Sequence, residues 1–205
     1  MTIAVIIPVL NEARCIEQTL SHTATLGFND IVIVDGGSSD HTCAIVQSFA
    51  DRIGTGPATA SMRLLTTPPG RARQLNAGAA ASRCEVLLFL HADTQLPPNA
   101  RQAIATALSD RTCVGGRFNV RFDSRRLPAL VISRLMNLRS RWSGIATGDQ
   151  AIFVRHEVFE RIGRFAEIPL MEDIEFTRRL KRAGRVAALP DQVVTAFRRW
   201  EQHGP

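Results

Sequence analysis

The feature that most constrains this chain is an alternation of short apolar runs with helical segments across its first half. Residues 3–7 form a continuous, mainly β-branched run, which is typical of a parallel strand buried on both faces. The same pattern predicts strands at 3–7, 31–34, 62–65 and 86–90, and helices at 12–26, 43–50, 73–82 and 97–108. Strands that alternate with helices of this length indicate an α/β fold with a mainly parallel sheet and right-handed crossovers.

The pattern changes after Cys113. Residues 116–122 alternate polar and apolar side chains, which predicts a half-exposed antiparallel strand. Further segments predict an amphipathic helix at 127–142, strands at 151–154 and 193–197, a helix at 172–183 that ends before Gly184, and a loop at 54–60. The segment 127–142 fits a core helix, a dimer face or a membrane-surface helix equally well. Because no internal repeat or interdomain linker is present, we expect a single domain over residues 1–205.

The chain is basic, with a formal net charge of +6, and Lys181 is the only lysine among its 25 basic residues. Arginine suits phosphate contacts because its planar guanidinium binds oxyanions in a bidentate manner, although a genome rich in arginine codons gives the same excess. The arginines are spread along the chain and do not form the basic stripe that nucleic acid requires. Nucleic acid is therefore not an expected partner.

The cysteine spacing and the first residues of the chain indicate where in the cell the protein is expected. Cys15, Cys43, Cys84 and Cys113 lie far apart without a C-x-x-C pair, so neither a metal-ligand spacing nor a disulfide framework is expected. The first residues lack the basic region of a signal peptide, and no apolar run approaches the roughly 18 residues of a membrane span. The expected location is the cytoplasm, either free or at the inner face of the membrane.

Polar segments follow the predicted strands. They are residues 8–12 (PVLNE), 35–42 (DGGSSDHT) and 91–94 (HADT), together with 69–78 (PGRARQLNAG) at the start of a helix. The carboxyl ends of parallel strands meet at one edge of a sheet, and ligands of open α/β sheets bind at that edge. We therefore expect these segments to form one binding site.

Taken together, these segments resemble a family 2 glycosyltransferase of the GT-A fold, and the match runs across nearly the whole chain. Residues 5–12 are similar to the opening strand and P-x-x-N-E turn of that family, and 31–42 to its V-D-x-S-x-D-x-T segment. Residues 70–78 resemble its G-[KR]-x-x-x-[LIV]-N-x-G segment. Residues 88–94 stand where the family places its D-x-D metal motif, and Glu172-Asp173 where it places an E-D pair.

The resemblance implies an inverting transferase that moves a sugar from a nucleotide-diphosphate donor to a hydroxyl acceptor, which in some cases is lipid-linked. It implies a nucleotide-sugar-binding half over residues 1–112 and an acceptor-side half over 113–205. The implied donor-binding residues are Pro8, Asn11, Glu12, Asp35, Ser38, Arg71, Arg73, Asn76, His91 and Asp93. The implied cofactor is a divalent cation, Mg²⁺ or Mn²⁺, held by Asp93, although His91 stands where D-x-D has its first Asp.

Some of the implied donor contacts have a structural alternative. His91, for example, can be a packing residue at a strand end. Asp35 can accept hydrogen bonds from the base or ribose, or it can open an Asx turn with Gly36-Gly37. Glu12 can reach the ribose or act only as a first-turn acid of a helix. One of Arg71 and Arg73 can neutralise the diphosphate at a helix N-terminus, or both can be solvated.

The catalytic assignment rests on Glu172-Asp173. By resemblance, Asp173 is the general base that deprotonates the acceptor hydroxyl. Acids at a helix start are also common for purely structural reasons, because they stabilise the helix dipole. Asp149 and Gln150 are expected on the acceptor side, and Arg198-Arg199-Trp200 resembles part of an R-W element but is interpreted as packing.

Other classes fit less well. A Rossmann oxidoreductase or methyltransferase requires G-x-G-x-x-G after its first strand, and residues 8–12 contain no glycine. Sugar-phosphate nucleotidyltransferases usually show a glycine- and arginine-rich first turn, which is also missing. The remaining alternative is an α/β module that binds a nucleotide or nucleic acid without catalysis.

Overall fold

The computed structural model describes residues 1–53 and 61–197. Its strands are Ile3–Val9 (β1), Asp30–Asp35 (β2), Ser61–Thr66 (β3), Val86–Phe89 (β4), Thr94–Gln95 (β5), Cys113–Phe122 (β6), Phe153–Arg155 (β7) and Arg185–Thr195 (β8). Its α-helices are Ile16–Ala24 (α1), Thr42–Ile53 (α2), Arg71–Ala81 (α3), Ala100–Ser109 (α4), Leu127–Ser143 (α5), His156–Arg161 (α6) and Glu172–Ala183 (α7). A short 3-10 helix covers Gly148–Gln150.

The strands form one eight-stranded sheet in the order β3-β2-β1-β4-β7-β6-β8-β5. Strands β1 to β4 are parallel, and Val9 at the end of β1 lies beside Asp35 at the end of β2. Strand β7 runs antiparallel to β4 and β6, and β5 runs antiparallel to β8. The predicted α/β fold, with a mainly parallel sheet and a smaller antiparallel part towards the C-terminus, is therefore confirmed.

Alternate residues of β1 point into two apolar cores, one on each face of the sheet. Ile3, Val5 and Ile7 pack in one core, and Ile6 packs in the other. Helix α3 covers the Ile6 face at close range, since a Cβ atom on Gly78 would lie 2.5 Å from Ile6 Cγ2. This contact fixes α3 against the sheet, with its first residue at the carboxyl edge.

The prediction for residues 116–122 is wrong in pairing over most of the strand and wrong in exposure at Arg117, whereas Asn119 is partly exposed and Arg121 is exposed. Strand β6 pairs antiparallel with β7 over only a short stretch and runs parallel to β8 for most of its length. Arg117, expected on a solvent face, is only 2% exposed, and its guanidinium donates to the Asn119 side chain. Burial and the nearby Arg141 charge lower the pKa of Arg117 to about 10. The physical reasons are the late return of β8, which pairs in parallel with β6, and the packing of helix α5 on β6, where the Asn137 carbonyl accepts a hydrogen bond from Arg117.

Other differences are local. Helix α1 begins at Ile16 because residues 12–15 form a turn in which the Cys15 amide donates to the Glu12 carbonyl. Strand β5, helix α6 and the 3-10 helix were not predicted. Strand β8 is longer than the predicted 193–197. The predicted loop at 54–60 and the segment Arg198-Arg199-Trp200 lie outside the described residues. Within residues 1–53 and 61–197, no helix has the length and apolarity needed to cross a bilayer.

Candidate active site

Two adjoining clefts lie at the carboxyl edge of the sheet. The Asp173 cleft has a volume of about 410 Å³, and its polar wall consists of Arg71, His91, Asp93, Thr147, Gly148, Asp149, Glu172, Asp173 and Thr195. The Glu12 cleft has a volume of about 340 Å³ and is lined by Pro8, Glu12, Gly70, Arg71, Gln74, His91 and Asp93, among others. Arg71, His91 and Asp93 belong to both walls. The two clefts therefore adjoin at these three side chains.

Asp173 is the second residue of α7, and its carboxylate is held by two backbone amides. Oδ2 accepts a hydrogen bond from the Gly148 amide at 2.6 Å, and Oδ1 accepts one from the Ile174 amide at 2.7 Å. Met171, directly before the helix, adopts a left-handed backbone conformation with φ of 65°. Both carboxylate oxygens are thus oriented by the chain, while the side chain faces the cleft.

Glu172 faces the same cleft from a more buried position. The side chain is 6% exposed, and its Oε1 lies 3.1 Å from Arg71 Nε, which forms an ion pair between α7 and α3. Removing one member of such a pair leaves a charge in a poorly hydrated place. Glu172 therefore fixes the arginine at the junction of the clefts.

The two arginines of α3 separate in space. Arg71 lines both clefts, whereas Arg73 forms an exposed ion pair with Glu167 at 3.0 Å and lines neither. The sequence left open which of the two faces the site. The structure places Arg71 there.

His91 and Asp149 form a compact pair against a glycine backbone. His91 Nδ1 lies 3.0 Å from Asp149 Oδ1, and its Nε2 is buried without a hydrogen-bond partner in residues 1–53 and 61–197. A Cβ atom on Gly148 would lie 2.4 Å from His91 Nε2 and 2.6 Å from Arg71 Nη2. A side chain at this position would displace the ends of His91 and Arg71, so glycine lets both side chains pack against the backbone here.

Asp93 borders the Asp173 cleft, the Glu12 cleft and a third cleft beside Cys15. In the described part of the chain, no group of three or more His, Cys, Asp or Glu side chains is arranged to hold a metal ion. A Mg²⁺ ion in a nucleotide site is commonly held by one or two carboxylates, with phosphate oxygens and water completing its shell. Asp93 fits a cation completed by a diphosphate, and does not fit one held by protein side chains alone.

Asn11 joins the loops after β1 and β2. It adopts a left-handed conformation with φ of 57°, and its amide donates to Ser38 Oγ at 2.9 Å. Its side-chain oxygen accepts hydrogen bonds from the amides of Ser39 and Asp40. Pro8 and Glu12 form part of the wall of the Glu12 cleft, whereas Asn11 and Ser38 do not line it.

Asp35 opens the Asx turn that was the structural alternative for this residue. Its carboxylate accepts hydrogen bonds from the amides of Gly37 and Ser38, and it is 2% exposed. Burial pushes the pKa of Asp35 upward, but hydrogen bonds from Ser38 and Gly37 outweigh it and hold the pKa below the ordinary value. Gly37 supplies a positive φ of 96° for this turn.

Gln74 is a site-forming residue that sequence reasoning missed. It is buried beneath Gly36, and its Nε2 donates to the carbonyls of Val9 and Val34 at 2.8 Å each. These bonds tie together the ends of β1 and β2. The available signal was a glutamine between the apolar positions Ala72 and Leu75 of α3, both of which are buried.

Two predicted binding residues lie behind the clefts and line neither of them. The Asn76 side chain exchanges hydrogen bonds with the backbone of Phe165, at 2.9 and 3.0 Å. Gln150 is fully buried and forms a capping box with Thr147. Both residues support the segments that carry the cleft walls.

The chain has curated relatives among bacterial glycosyltransferases. It is 27% identical over 224 residues to the probable glycosyltransferase YdaM of Bacillus subtilis (strain 168), which covers 98% of this chain and 50% of the relative. It is 31% identical over 162 residues to the undecaprenyl-phosphate 4-deoxy-4-formamido-L-arabinose transferase of Pseudomonas aeruginosa (strain LESB58), which covers 75% of this chain and 46% of the relative. This chain therefore spans about half the length of these relatives.

Solved structures share the fold. Staphylococcus aureus TarS superposes with a TM-score of 0.73 at 18% identity, covering 96% of this chain and 37% of TarS. The mannosyltransferase PcManGT from Pyrobaculum calidifontis, in complex with GDP-Man and Mn²⁺, superposes with a TM-score of 0.71 at 26% identity, covering 95% of this chain and 56% of PcManGT. These neighbours confirm the predicted GT-A fold.

The sequence resemblance is also confirmed at the level of the family. The profile of Glycosyl transferase family 2 matches residues 4–166, which include β1, the Asx turn, α3 and the His91–Asp93 segment. On this match the chain belongs to glycosyl transferase family 2.

Proposed function

We propose that this protein transfers a sugar from a nucleotide-diphosphate donor to an acceptor hydroxyl, with inversion at the anomeric carbon and Asp173 as general base. The observation that carries the proposal is that the two clefts share Arg71, His91 and Asp93 in their walls. A ligand in the Glu12 cleft reaches the Asp173 cleft past Arg71, His91 and Asp93. The leaving group and the base then lie on different sides of one junction.

The donor's nucleoside lies in the Glu12 cleft, where Pro8 and Glu12 form the wall. Asp35 is the strand partner of Val9, which lines this cleft, and it offers a carboxylate to the base or ribose. The diphosphate lies at the junction, where the guanidinium of Arg71 and the free amides of the first turn of α3 attract its charge. PcManGT with GDP-Man and TarS with UDP-GlcNAc are neighbours that bind donors of this class.

Asp93 is the residue that would hold a divalent cation on the diphosphate. Such a cation, when bound, offsets the charge that develops on the departing nucleoside diphosphate. The Mn²⁺ in the PcManGT complex supports this assignment, because that structure also carries a nucleotide sugar. The His91–Asp149 pair holds the wall beside Asp93 in one arrangement.

Asp173 accepts the proton of the acceptor hydroxyl as the hydroxyl oxygen attacks the anomeric carbon. The bond from that carbon to the diphosphate oxygen breaks on the opposite face, so the configuration inverts and the nucleoside diphosphate leaves with the electron pair. The amides of Gly148 and Ile174 hold the carboxylate in place for this step. Glu172 acts as a positioning residue through its ion pair with Arg71.

The acceptor side of the proposal is a hydroxyl compound that enters the Asp173 cleft from residues 113–205. The Pseudomonas relatives are named for undecaprenyl phosphate, which supports a lipid-linked acceptor at the inner face of a membrane. A phosphate acceptor is already ionised and does not need a strong base. The dependence on Asp173 therefore distinguishes a hydroxyl acceptor from a phosphate acceptor.

The direct test is incubation of the protein with UDP-, GDP- and dTDP-sugars in the presence of Mn²⁺, Mg²⁺ or EDTA. We expect one donor to raise the unfolding temperature with the metal ion present, and to release free nucleoside diphosphate slowly as water replaces the acceptor. A donor that raises the unfolding temperature without any release, even over hours, would favour the non-catalytic nucleotide-binding module. If no donor acts in either assay, the proposed donor class is wrong.

A further inference from the structure

Helix α5 carries a row of large apolar side chains that point into solvent. They follow one another at intervals of three or four residues, which places them on one face of the helix: Leu127, Val131, Leu135, Leu138 and Trp142. We call this row the apolar stripe. Leu127 is 72% exposed and Trp142 is 83% exposed. A contiguous exposed apolar surface of this kind marks an interaction site.

The opposite face of α5 is already used. Ala129, Ser133 and Ser140 are buried against the domain, and Asn137 exchanges hydrogen bonds with the backbone of β6. The helix is therefore anchored in one orientation. The outward direction of the apolar stripe follows from this packing and leaves the stripe available to a partner.

The charges of α5 have one sign. The helix contains no Asp or Glu, and its three arginines, Arg134, Arg139 and Arg141, are all exposed. At about 100° per residue, Arg134 and Arg141 lie along one border of the apolar stripe and Arg139 along the other. Arg125 and Arg126 come directly before the helix and are also exposed.

We propose that α5 is an interfacial helix that docks this protein on an anionic lipid bilayer. The apolar stripe enters the boundary between headgroups and acyl chains, and the bordering arginines bind lipid phosphates. Charge complementarity selects this partner over a second copy of the chain. Two α5 helices packed face to face would bring six arginines together without one acidic residue on either helix.

The position of α5 relates this surface to the Asp173 cleft. Phe122 and Thr147 line the cleft and stand five residues before and four residues after the helix. An extended chain covers at most about 18 Å and about 14 Å over these spans. A bilayer under α5 therefore lies beside the cleft. If sugar transfer is as proposed above, this arrangement favours an acceptor that is itself embedded in the bilayer.

The first test is sedimentation of the purified protein with vesicles of phosphatidylglycerol and phosphatidylcholine at a 1:1 ratio, and with pure phosphatidylcholine vesicles. We expect binding to the anionic vesicles, weakened by high salt because lipid phosphates supply part of the attraction. In a Trp200→Phe variant, Trp142 is the remaining tryptophan, and its emission should shift to shorter wavelength on binding. Equal partition to both kinds of vesicle, or no shift of the Trp142 emission, would refute docking through this helix.

Variants then separate the two parts of the surface. Arg134→Gln with Arg141→Gln should weaken binding to anionic vesicles by roughly tenfold or more. The matched control, Arg83→Gln with Arg111→Gln, removes the same charge from exposed positions before β4 and β6 and should bind as the parent protein does. Equal losses in both double variants would show that net charge, and not α5, attracts the protein to the bilayer.

The apolar part is tested with Leu135→Asn and Trp142→Asn together. Both side chains are exposed, so the fold should survive, which circular dichroism verifies. We expect at least a tenfold loss of vesicle binding with unchanged release of nucleoside diphosphate from a soluble donor. A dimer that this variant dissociates, in a protein that does not bind vesicles, would instead assign the apolar stripe to a second copy. Because vesicle binding and donor turnover are measured separately, either proposal can fail alone.

Discussion

The loops after β1 and β2 differ from helix α5 in how completely their side chains find partners within the protein. In the loops, the side chains of Asn11 and Asp35 accept hydrogen bonds from neighbouring backbone amides, and Gln74 ties the two strand ends from below. In α5, large apolar side chains are exposed to solvent in the part of the chain that the structure describes. The loops are held in place by hydrogen bonds within the protein, without a ligand. The α5 surface, in contrast, leaves apolar side chains exposed to water.

This difference has a physical consequence. A pre-organised site loses little conformational entropy when it binds, so in the proposed function the affinity for the donor is set by direct contacts at the cleft junction. An exposed apolar face gains free energy only when a partner removes it from water. Under the two proposals above, the folded chain alone is sufficient to recognise the donor, whereas recognition through α5 requires contact with a bilayer.

The largest expected effect tests whether Asp173 acts as the general base between the proposed donor and acceptor. Asp173→Asn keeps the size of the side chain and an oxygen for the Gly148 amide but removes the base. We expect the turnover number to fall by roughly 10³-fold, the range of general base catalysis, while the donor Kd stays within about twofold. Steady-state kinetics and donor titration measure the two quantities.

The control for this variant is Asp51→Asn, the same chemical change on the exposed side of α2. It should leave both quantities unchanged. If Asp173→Asn weakens donor binding as much as it lowers turnover, Asp173 has a structural role. The proposed general base is then wrong.

The next effect concerns Asp93, which borders both clefts. Asp93→Ala should raise the donor Kd by roughly tenfold to a hundredfold in the presence of Mn²⁺, because the cation then loses its protein ligand. EDTA should produce a similar rise in the parent protein and no further rise in the variant. Calorimetric titration with and without EDTA gives all four values. If EDTA changes neither the donor affinity nor the turnover of the parent protein, the proposed cation is wrong.

The two arginines of α3 sharpen the comparison within a single helix. Arg71→Gln should weaken donor binding by about tenfold, since Arg71 faces the junction and charge-assisted contacts to phosphate are strong. Arg73→Gln should change it by less than twofold, because Arg73 is engaged in an exposed ion pair with Glu167. Competition binding with the nucleoside diphosphate compares the pair. Equal effects would show that general charge attracts the donor.

The smallest expected effect concerns the Asx turn. The folded-state pKa of Asp35 is lowered below its ordinary value of 3.8, so the charged carboxylate stabilises the fold above that pH. This contribution is lost as the pH falls through the folded-state pKa. Asp35→Asn should therefore cost about 1 kcal/mol of unfolding free energy at pH 7, and less at pH 3.

Urea denaturation of both proteins at the two pH values measures this difference. The nucleotide affinity of the variant, measured at pH 7, tests the proposed contact with the base or ribose separately. A cost in stability that does not shrink at pH 3 would assign the effect to packing. An unchanged nucleotide affinity would show that Asp35 forms the Asx turn and does not contact the nucleotide.

Much of the donor side was predictable from the sequence because its signals are local. Buried strand runs, polar strand ends and glycine positions such as Gly37 are read within a few residues. The placement of Asp93 and of the segment with Arg71 and Arg73 at this edge followed from the same reasoning, since Asp93 comes soon after a predicted strand and the two arginines stand at the start of a predicted helix. The assignment of Glu172 and Asp173 to α7 was also local, because Gly184 marks the helix end.

The sequence alone determined the alternation of strands and helices, the family resemblance and the set of polar segments at one edge of the sheet. The tertiary structure alone decided that Arg71 and not Arg73 faces the site, that Arg117 is buried, and that the apolar stripe of α5 points outward. The reason is distance along the chain. Amphipathic periodicity reports that a helix has two faces, but only long-range packing against β6 and β8 determines which face is covered.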